Sequence, residues 1–316
     1  MTTSTSAGSS DAIVGFPAAT TPRRRRRRGN RRAVLGFLAP NLLGFLIFTI
    51  LPIGGSLVLS FYNWPLLGSA VFTGLDNFVH LFTVDTVFWP ILGHTLYFVV
   101  GYVLANLVLS IGLALWLTTK VRAKGFFRVV FFLPVVSPMV ANAAIWRLLF
   151  TQDTGLIAQA FRFVTGHEAP NWLGNPHWAM PAVILMSLWA GFGYNMLIFV
   201  AGIEGIPQSL YEAAQIDGAG WWRRTFSITL PLLTPSLFFA IVMTVISSLQ
   251  VFAQPYILTG GGPGSSTTTL VYYLYQQGFQ NYAMGYASSI AWSLFVLIMG
   301  LTVLQFTAQR KWVHYQ

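Results

Sequence analysis

Residue types that support catalysis are scarce in this sequence of 316 residues. It has no cysteine, eight carboxylate side chains and five histidines, and the histidines lack the spacing of a metal site. The glycine-rich run at 259–266 lacks the Gly-Lys-Ser/Thr ending that a phosphate-binding loop requires. No nucleophile elbow and no carboxylate pair occurs either. The sequence therefore predicts a chain that is not an enzyme and holds no metal or cofactor of its own.

Neutral polar and aromatic side chains inside apolar stretches are the remaining candidates for ligand chemistry. Amides, hydroxyls and an aromatic face suit a hydroxyl-rich ligand such as a sugar, whereas the lack of charge in these stretches argues against ions. The predicted substrate path consists of Asn142, Tyr194, Asn195, Gln250, Gln254, Trp189 and Ser289. The alternative for each residue is hydrogen bonding between helices, which is common in membrane bundles.

The most polar internal stretch lies at 204–231 and predicts a short helix. Pro207 is compatible with a first helical turn, Ser209 and Glu212 place acceptors near the start, and Gly218 can turn left-handed at the end. A helix of about three turns is marginal in water on its own.

Small and aliphatic side chains, Leu210, Ala213, Ala214 and Ile216, cover a face of this predicted helix. They would let another protein approach the backbone closely. We therefore predict a docking helix.

The spacing of this stretch resembles the EAA loop of the permease subunits of binding-protein-dependent ABC importers. That loop has the pattern E-A-A-x-x-x-G-x(9)-I-x-L-P. Its positions are filled here by Glu212, Ala213, Ala214, Gly218, Ile228, Leu230 and Pro231. The fuller form of the sugar-transporting branch is matched by Asp217, Ala219 and Phe226.

A second resemblance, to the maltose and glycerol-phosphate importer type, lies in Tyr256–Pro263, Thr267–Tyr275 and Phe279. A weaker match lies in Phe126–Pro134. The resemblance extends over most of 33–311.

The resemblance implies a permease with the bundle fold of type I ABC importers in a bacterial cytoplasmic membrane. It implies a second permease subunit in a heterodimer, two cytoplasmic ATPase subunits that bind the ATP, and an extracytoplasmic solute-binding protein that delivers a sugar. The implied contacts with the ATPase are Glu212, Ala213, Ala214, Asp217, Gly218 and Ala219.

The composition indicates the kind of structure that positions these residues. Hydrophobic residues make up 55% of the chain and charged residues 8%, and the mean hydropathy is +0.63. These values place the chain in the membrane class. An all-α polytopic protein with six transmembrane helices is predicted, since a crossing helix needs about 20 apolar residues. The predicted spans are Val34–Phe61, Ile91–Thr118, Phe127–Phe150, Trp178–Ile203, Leu232–Leu258 and Met284–Ala308.

The net charge of +10 comes largely from one run at 23–28, with Arg31 and Arg32 just beyond it. Such a local charge does not indicate a nucleic-acid partner. Residues 1–32 are predicted to be a disordered Arg-rich cytoplasmic tail, and 33–316 a transmembrane domain in contact with lipid. The apolar stretch after the tail is longer than the core of a secretory signal, which is about 7–15 residues.

The basic residues predict the orientation of the spans. With six crossings, the basic clusters at 23–32, 120–128, 223–224 and 310–311 all fall on one side, which the positive-inside rule assigns to the cytoplasm. Both termini and the EAA-like loop are then cytoplasmic.

The competing function is a secondary carrier driven by an ion gradient. Such a carrier usually has an ionisable residue near the membrane midplane and inverted repeats, and neither is clear in this sequence.

Overall fold

The computed structural model describes residues 2–3, 31–65, 68–119, 122–310 and 313, and of residues 31–35 only the backbone. Helices dominate the described chain, which confirms the predicted all-α class. The predicted tail at 1–32 lies outside the described residues, apart from residues 2, 3, 31 and 32. The chain divides into two units, Met1–Pro52 and Ile53–Gln316.

The elements before the EAA-like loop include three long helices and a short hairpin. In chain order they are α1 (Arg31–Phe45), the π-helical turn π1 (Leu46–Ile50), α2 (Leu51–Leu59), β1 (Tyr62–Asn63), β2 (Val71–Phe72), α3 (Asp76–Val79), π2 (His80–Val84), α4 (Phe88–Thr118), α5 (Lys124–Val136), α6 (Met139–Leu149), α7 (Leu156–Thr165) and α8 (Pro176–Glu204). The strands pair antiparallel, with Tyr62 opposite Phe72 and Asn63 opposite Val71.

The second part of the chain begins with the loop helices and ends with another long helix. Its elements are α9 (Gln208–Ile216), α10 (Trp221–Arg224), π3 (Thr225–Thr229), α11 (Leu230–Leu232), α12 (Thr234–Leu249), α13 (Ala253–Leu258), α14 (Leu270–Tyr275), π4 (Gln276–Gln280) and α15 (Met284–Gln309).

Among the described residues, four continuous helices are long and apolar enough to cross a membrane. They are Gly36–Leu59, Phe88–Thr118, Pro176–Glu204 and Met284–Gln309. They correspond to four of the predicted spans. Two bent helix pairs bring the total to as many as six if each pair crosses as one unit.

The other two predicted spans are not single helices, and this corrects the sequence prediction. The stretch predicted as Phe127–Phe150 consists of α5 and α6, which meet at an angle of 97°. The stretch predicted as Leu232–Leu258 contains α12 and a separate α13, and the segment Trp221–Leu232 before α12 is bent by 65° from it.

Pro138 explains the break between α5 and α6. Its ring has no N–H to donate to the carbonyl of Pro134, four residues earlier. Ser137 has the extended backbone, with φ −72° and ψ 139°, that is favoured before a proline. The side chain of Asn142 donates to the Pro134 carbonyl at 3.2 Å, so the carbonyl stays satisfied inside the protein.

Pro255 contributes to the break between α12 and α13 in the same way. It cannot donate to the carbonyl of Val251, and the hydroxyl of Thr269 donates to that carbonyl at 2.8 Å. In a membrane protein such freed carbonyls need a partner from a neighbouring element. At each break, a side chain from another part of the chain therefore donates a hydrogen bond to the freed carbonyl.

The core of the second unit lies where α4, α5, α8 and α12 pack together. Glycines of α8 allow the close approach. A Cβ at Gly193 would lie 2.2 Å from the carbonyl oxygen of Phe131, and one at Gly191 would lie 2.3 Å from the hydroxyl of Tyr102. Small residues at such crossings are typical of membrane bundles, in which packing replaces the hydrophobic effect between helices.

Candidate functional site

The EAA-like loop forms a short helix, α9, between two sharp changes in chain direction. Pro207 lies immediately before the helix with φ −56° and ψ 128°, so the prediction that it occupies the first turn was wrong. Gly218 has φ +72°, as predicted, and the N–H of Ala219 donates to the carbonyl of Ala214 at 2.9 Å. This arrangement ends the helix with a left-handed residue.

No side chain caps the start of α9, which corrects the role predicted for Ser209 and Glu212. Glu212 is the fifth residue of a helix that begins at Gln208, too far from the first turn to bond the free N–H groups there. Its carboxylate is exposed. It is therefore free to meet a partner.

Helix α9 is largely exposed and packs little against the other described elements. No residue of α9 is buried, and Ile216 is 88% exposed. Tyr211 makes the one side-chain hydrogen bond between α9 and another described element, at 3.0 Å from its hydroxyl to Oγ1 of Thr229. Thr229 is buried and is the last residue of π3, which precedes α11 and α12. This hydrogen bond and the backbone therefore connect α9 to the segment that precedes α12.

A cavity of about 540 Å³ separates α9 from the ends of α4 and α8. Hydroxyls, amides, the two carboxylates of Glu204 and Glu212 and the guanidinium of Arg224 face it together with a few aliphatic groups. The lining residues are Leu115, Thr118, Thr119, Ile203, Glu204, Ile206, Gln208, Tyr211, Glu212, Gln215, Trp221, Arg224, Thr225 and Thr229. The cavity leaves room for α9 to move against the bundle.

An ion pair connects the end of α8 to α5. The guanidinium of Arg128 donates to the carboxylate of Glu204, the last residue of α8 before the loop. Both side chains are partly exposed, and exposed ion pairs contribute little stability, roughly 0–1 kcal/mol. The pair joins the α5 and α8 ends next to the loop.

Three residues of the predicted substrate path are buried and bonded to protein groups. Asn142 bonds the Pro134 carbonyl as described above. Asn195 donates to Oδ1 of Asn106 at 2.6 Å and to Oγ1 of Thr244 at 2.8 Å, which joins α8 to α4 and α12. Ser289 donates to the carbonyl of Tyr286 at 2.7 Å. For Asn142 and Asn195 the contacts favour the alternative, hydrogen bonding between helices. The bond of Ser289 lies within its own helix, α15.

The other four path residues keep exposed surface. Tyr194 is 47% exposed and Trp189 39%, Gln250 is exposed and Gln254 is half-buried. Gln254 lies on α13, which packs against α6 and α8, and the Trp189 ring lies 5.7 Å from that of Trp146 on α6. The side chains with free polar or aromatic surface therefore come from α8 and from the α12–α13 break.

A cluster of Asp85, Tyr273 and Tyr286 was not identified from the sequence. Both tyrosine hydroxyls donate to one carboxylate oxygen of Asp85. The other oxygen accepts the backbone N–H of Val87 at 2.8 Å and that of Phe88 at 3.2 Å at the start of α4. Asp85 thus joins the start of α4 to α14 and α15, and no local sequence pattern connects residues so far apart in the chain.

The environment changes the pKa values in this cluster. Burial raises the pKa of Asp85, but the hydrogen bonds from Tyr273, Tyr286 and the two backbone amides outweigh burial and leave the pKa below its ordinary value. Burial, and then the bond to Asp85, raise the pKa of Tyr273 to about 12. The cluster therefore holds one carboxylate and neutral tyrosines at physiological pH.

The described residues contain no group of three or more His, Asp or Glu that could bind a metal ion. These residues form a multi-pass membrane bundle. An exposed polar helix, α9, lies at one end of α12, and uncharged side chains lie at the other end. This combination is typical of a membrane transport component.

Comparison with known proteins agrees with this class. The chain belongs to the family described as binding-protein-dependent transport system inner membrane component, whose model matches residues 106–311. The family is a multi-pass transport component and not an enzyme, as the sequence predicted.

Several relatives match most of the chain, including the following two. A probable ABC transporter permease protein of Bacillus subtilis (strain 168), YesP, is 40% identical over 294 residues, which cover 91% of this chain and 93% of the relative. The lactose transport system permease protein LacF of Rhizobium radiobacter is 35% identical, with coverage of 87% and 93%.

The same fold occurs in the crystal structure of a bacterial ABC transporter involved in the import of the acidic polysaccharide alginate. The superposition has a TM-score of 0.78 at 24% sequence identity and covers 89% of this chain and 96% of the other.

Proposed function

We propose that this chain is the permease subunit of an ATP-driven importer that carries a carbohydrate across a bacterial cytoplasmic membrane. The observation that carries the proposal is α9, which has no buried residue and makes a single side-chain hydrogen bond to the bundle. A helix of this length is marginal in water. Its persistence in the assembled transporter is best explained by a protein partner on its exposed face.

In this proposal α9 is the coupling helix, and it docks into an ATPase subunit. The contact is formed by Glu212, Ala213, Ala214, Asp217, Gly218 and Ala219. Two partner ATPase subunits bind the ATP, and this chain holds no cofactor. ATP-driven movement of the ATPase shifts α9 over the cavity and reaches α12 through Tyr211 and Thr229.

A carbohydrate is the proposed substrate class, and two observations support it. The relative LacF is a lactose transport permease by name. Tyr194, Trp189, Gln250 and Gln254 offer neutral hydrogen-bonding groups and aromatic faces without a charge, which suits a polyhydroxyl ligand. In the proposal a solute-binding protein delivers the sugar from outside, and a second permease subunit completes the path as a heterodimer.

The proposed orientation places α9 and both termini in the cytoplasm, because the basic residues gather at that end of the spans. Gln215→Cys and Glu168→Cys, at opposite ends, test it with a membrane-impermeant thiol reagent, since the chain has no native cysteine. We expect intact cells to label only Glu168→Cys. Labelling of only Gln215→Cys would reverse the orientation.

Uptake of labelled sugars into proteoliposomes tests the function. The assembly contains this chain, its partner permease, the ATPases and the binding protein. We expect uptake that needs ATP on the ATPase side and survives the collapse of ion gradients. Uptake that needs an ion gradient and no ATP would identify a secondary carrier instead.

A further inference from the structure

The segment that follows the coupling helix carries aromatic and basic side chains together. Trp221, Trp222 and Phe226 are 44%, 68% and 62% exposed. The Trp222 and Phe226 rings are stacked with centroids 6.0 Å apart, and Trp221 meets Trp222 edge-on at 4.5 Å. Arg223 and Arg224 lie between them. We call Trp221–Phe226 the aromatic-basic segment.

No ion pair within the described residues neutralises the positive charge of this segment. Neither Arg223 nor Arg224 forms an ion pair with a described residue, although two other arginines do. Arg224 is half-buried and faces the cavity that Glu204 and Glu212 also line, whereas Arg223 is exposed. No carboxylate side chain occurs after Asp217 in the sequence. The segment therefore presents one exposed guanidinium group, that of Arg223, without an ion-pair partner among the described residues.

The position of the segment indicates which anion is available. The helical stretch Trp221–Leu232 is bent by 65° from α12, so with α12 across the membrane this stretch turns toward the membrane plane. Exposed tryptophans prefer the membrane–water interface, where the ring is partly apolar and its N–H can reach water. Arginine binds phosphate oxygens through paired N–H groups.

We propose that the aromatic-basic segment binds the headgroup of an anionic phospholipid in the leaflet next to the coupling helix. The phosphate pairs with Arg223, and the rings of Trp222 and Phe226 lie among the upper acyl chains. The inference rests on the proposed cytoplasmic side of the loop, whose surface is rich in anionic lipids. Lipid binding would hold this half of the loop at the membrane while α9, on the other side of Gly218, moves with the ATPase.

Fluorescence quenching by brominated phospholipids tests the proposal on the complete transporter in lipid nanodiscs. The difference between wild type and Trp222→Phe gives the signal of Trp222. We expect brominated phosphatidylglycerol to quench this signal more than the same fraction of brominated phosphatidylcholine. Arg223→Gln should reduce that preference about fivefold, the effect of one basic residue near an anionic surface. Arg224→Gln should change it less, because Arg224 faces the cavity.

Arg310→Gln is the matched control, because it removes the same charge on the same proposed side but outside the segment. It should leave the preference unchanged. Equal quenching by the two lipids would overturn the proposal. So would a Trp222 signal that no lipid quenches until the ATPase subunits are removed, since the ATPase would then cover the segment. The readout needs no ATP and no sugar, so its failure is distinct from failure of the importer function.

Discussion

The two segments that flank α12 are held in opposite ways. Before it, α9 has no buried residue and one side-chain hydrogen bond to the bundle. After it, Thr267, Thr268 and Thr269 are buried, and their hydroxyls bond the carbonyls of Gly262, Gly261 and Val251. The polar groups of the segment after α12 are bonded within this chain, whereas α9 leaves most of its surface exposed, as the proposed docking to a partner requires.

This contrast indicates that the two ends of α12 have different roles. At one end, Asp85 at the start of α4 is bonded to α14 and α15, so the arrangement of these elements is fixed by contacts within the chain. The end that carries α9 has a cavity beneath it and one hydrogen bond to transmit movement. Substitutions at the two ends should therefore affect different properties, transport at one and stability at the other.

Gly218→Val should have the largest effect on transport. Its φ of +72° disfavours any residue with a Cβ, and a β-branched residue most of all, at a cost of about 1–2 kcal/mol. We expect ATP-driven uptake to fall about tenfold or more while binding of the solute-binding protein persists. Gly220→Val is the control, because Gly220 has the extended φ of −68° and ψ of 171° with no atom near a Cβ. Equal uptake by the two variants would show that the left-handed turn has no role.

Asn195→Leu should lower the stability of the bundle. The change removes the donor to Asn106 and Thr244, and leaving such buried groups unpaired costs about 1–3 kcal/mol. We expect a lower Tm for the purified subunit and unchanged sugar selectivity of the remaining uptake. A shift in selectivity with an unchanged Tm would return Asn195 to the substrate path.

Asp85→Asn should reduce stability by about 1 kcal/mol or more, because the amide keeps one neutral acceptor oxygen and puts an NH2 group, which cannot accept, where the second carboxylate oxygen accepted two hydrogen bonds. The folded-state pKa of Asp85 is lowered, so its stabilising effect is fully present above the unfolded value and is lost as the pH falls through the folded value. The Tm difference between wild type and variant should therefore be largest near neutral pH and shrink in acid. A difference that grows on acidification would contradict this assignment.

Tyr211→Phe should have the smallest effect. It removes only the hydroxyl that bonds Thr229, and a single bond of this kind contributes about 0.5–1.5 kcal/mol. We expect uptake per ATP hydrolysed to fall about two- to tenfold with an unchanged Tm. Thr229→Val, which removes the other partner, should match it, and no loss beyond either single change is expected in the double variant.

The sequence predicted well those features that composition and glycine chemistry determine. The long helices α4, α8 and α15 begin and end close to the predicted residues, because apolar length is read directly from composition. Gly218 has the predicted left-handed backbone, because few other residues adopt it. The family of the chain also followed from the spacing of the loop residues.

The helix breaks and the long-range contacts were harder to predict. Ser137 before Pro138 is a local signal for the bend between α5 and α6, but prolines also occur inside continuous helices, such as Pro181 in α8. The partners of Asp85 and Asn195 lie far away in the chain and meet them only through the packing of helices. Buried and exposed amides look alike in the sequence, so the path residues could not be separated there.

Chemical labelling of Ala213→Cys tests the central claim, that α9 is exposed because it docks into an ATPase. Ala213 is exposed, and the chain has no other thiol. Glu168→Cys, an exposed position at the opposite end, is the control. We expect a water-soluble maleimide to modify Ala213→Cys rapidly in the isolated subunit and slowly in the assembled transporter, with no change at Glu168→Cys. Equal labelling of Ala213→Cys with and without the ATPase subunits would contradict the account.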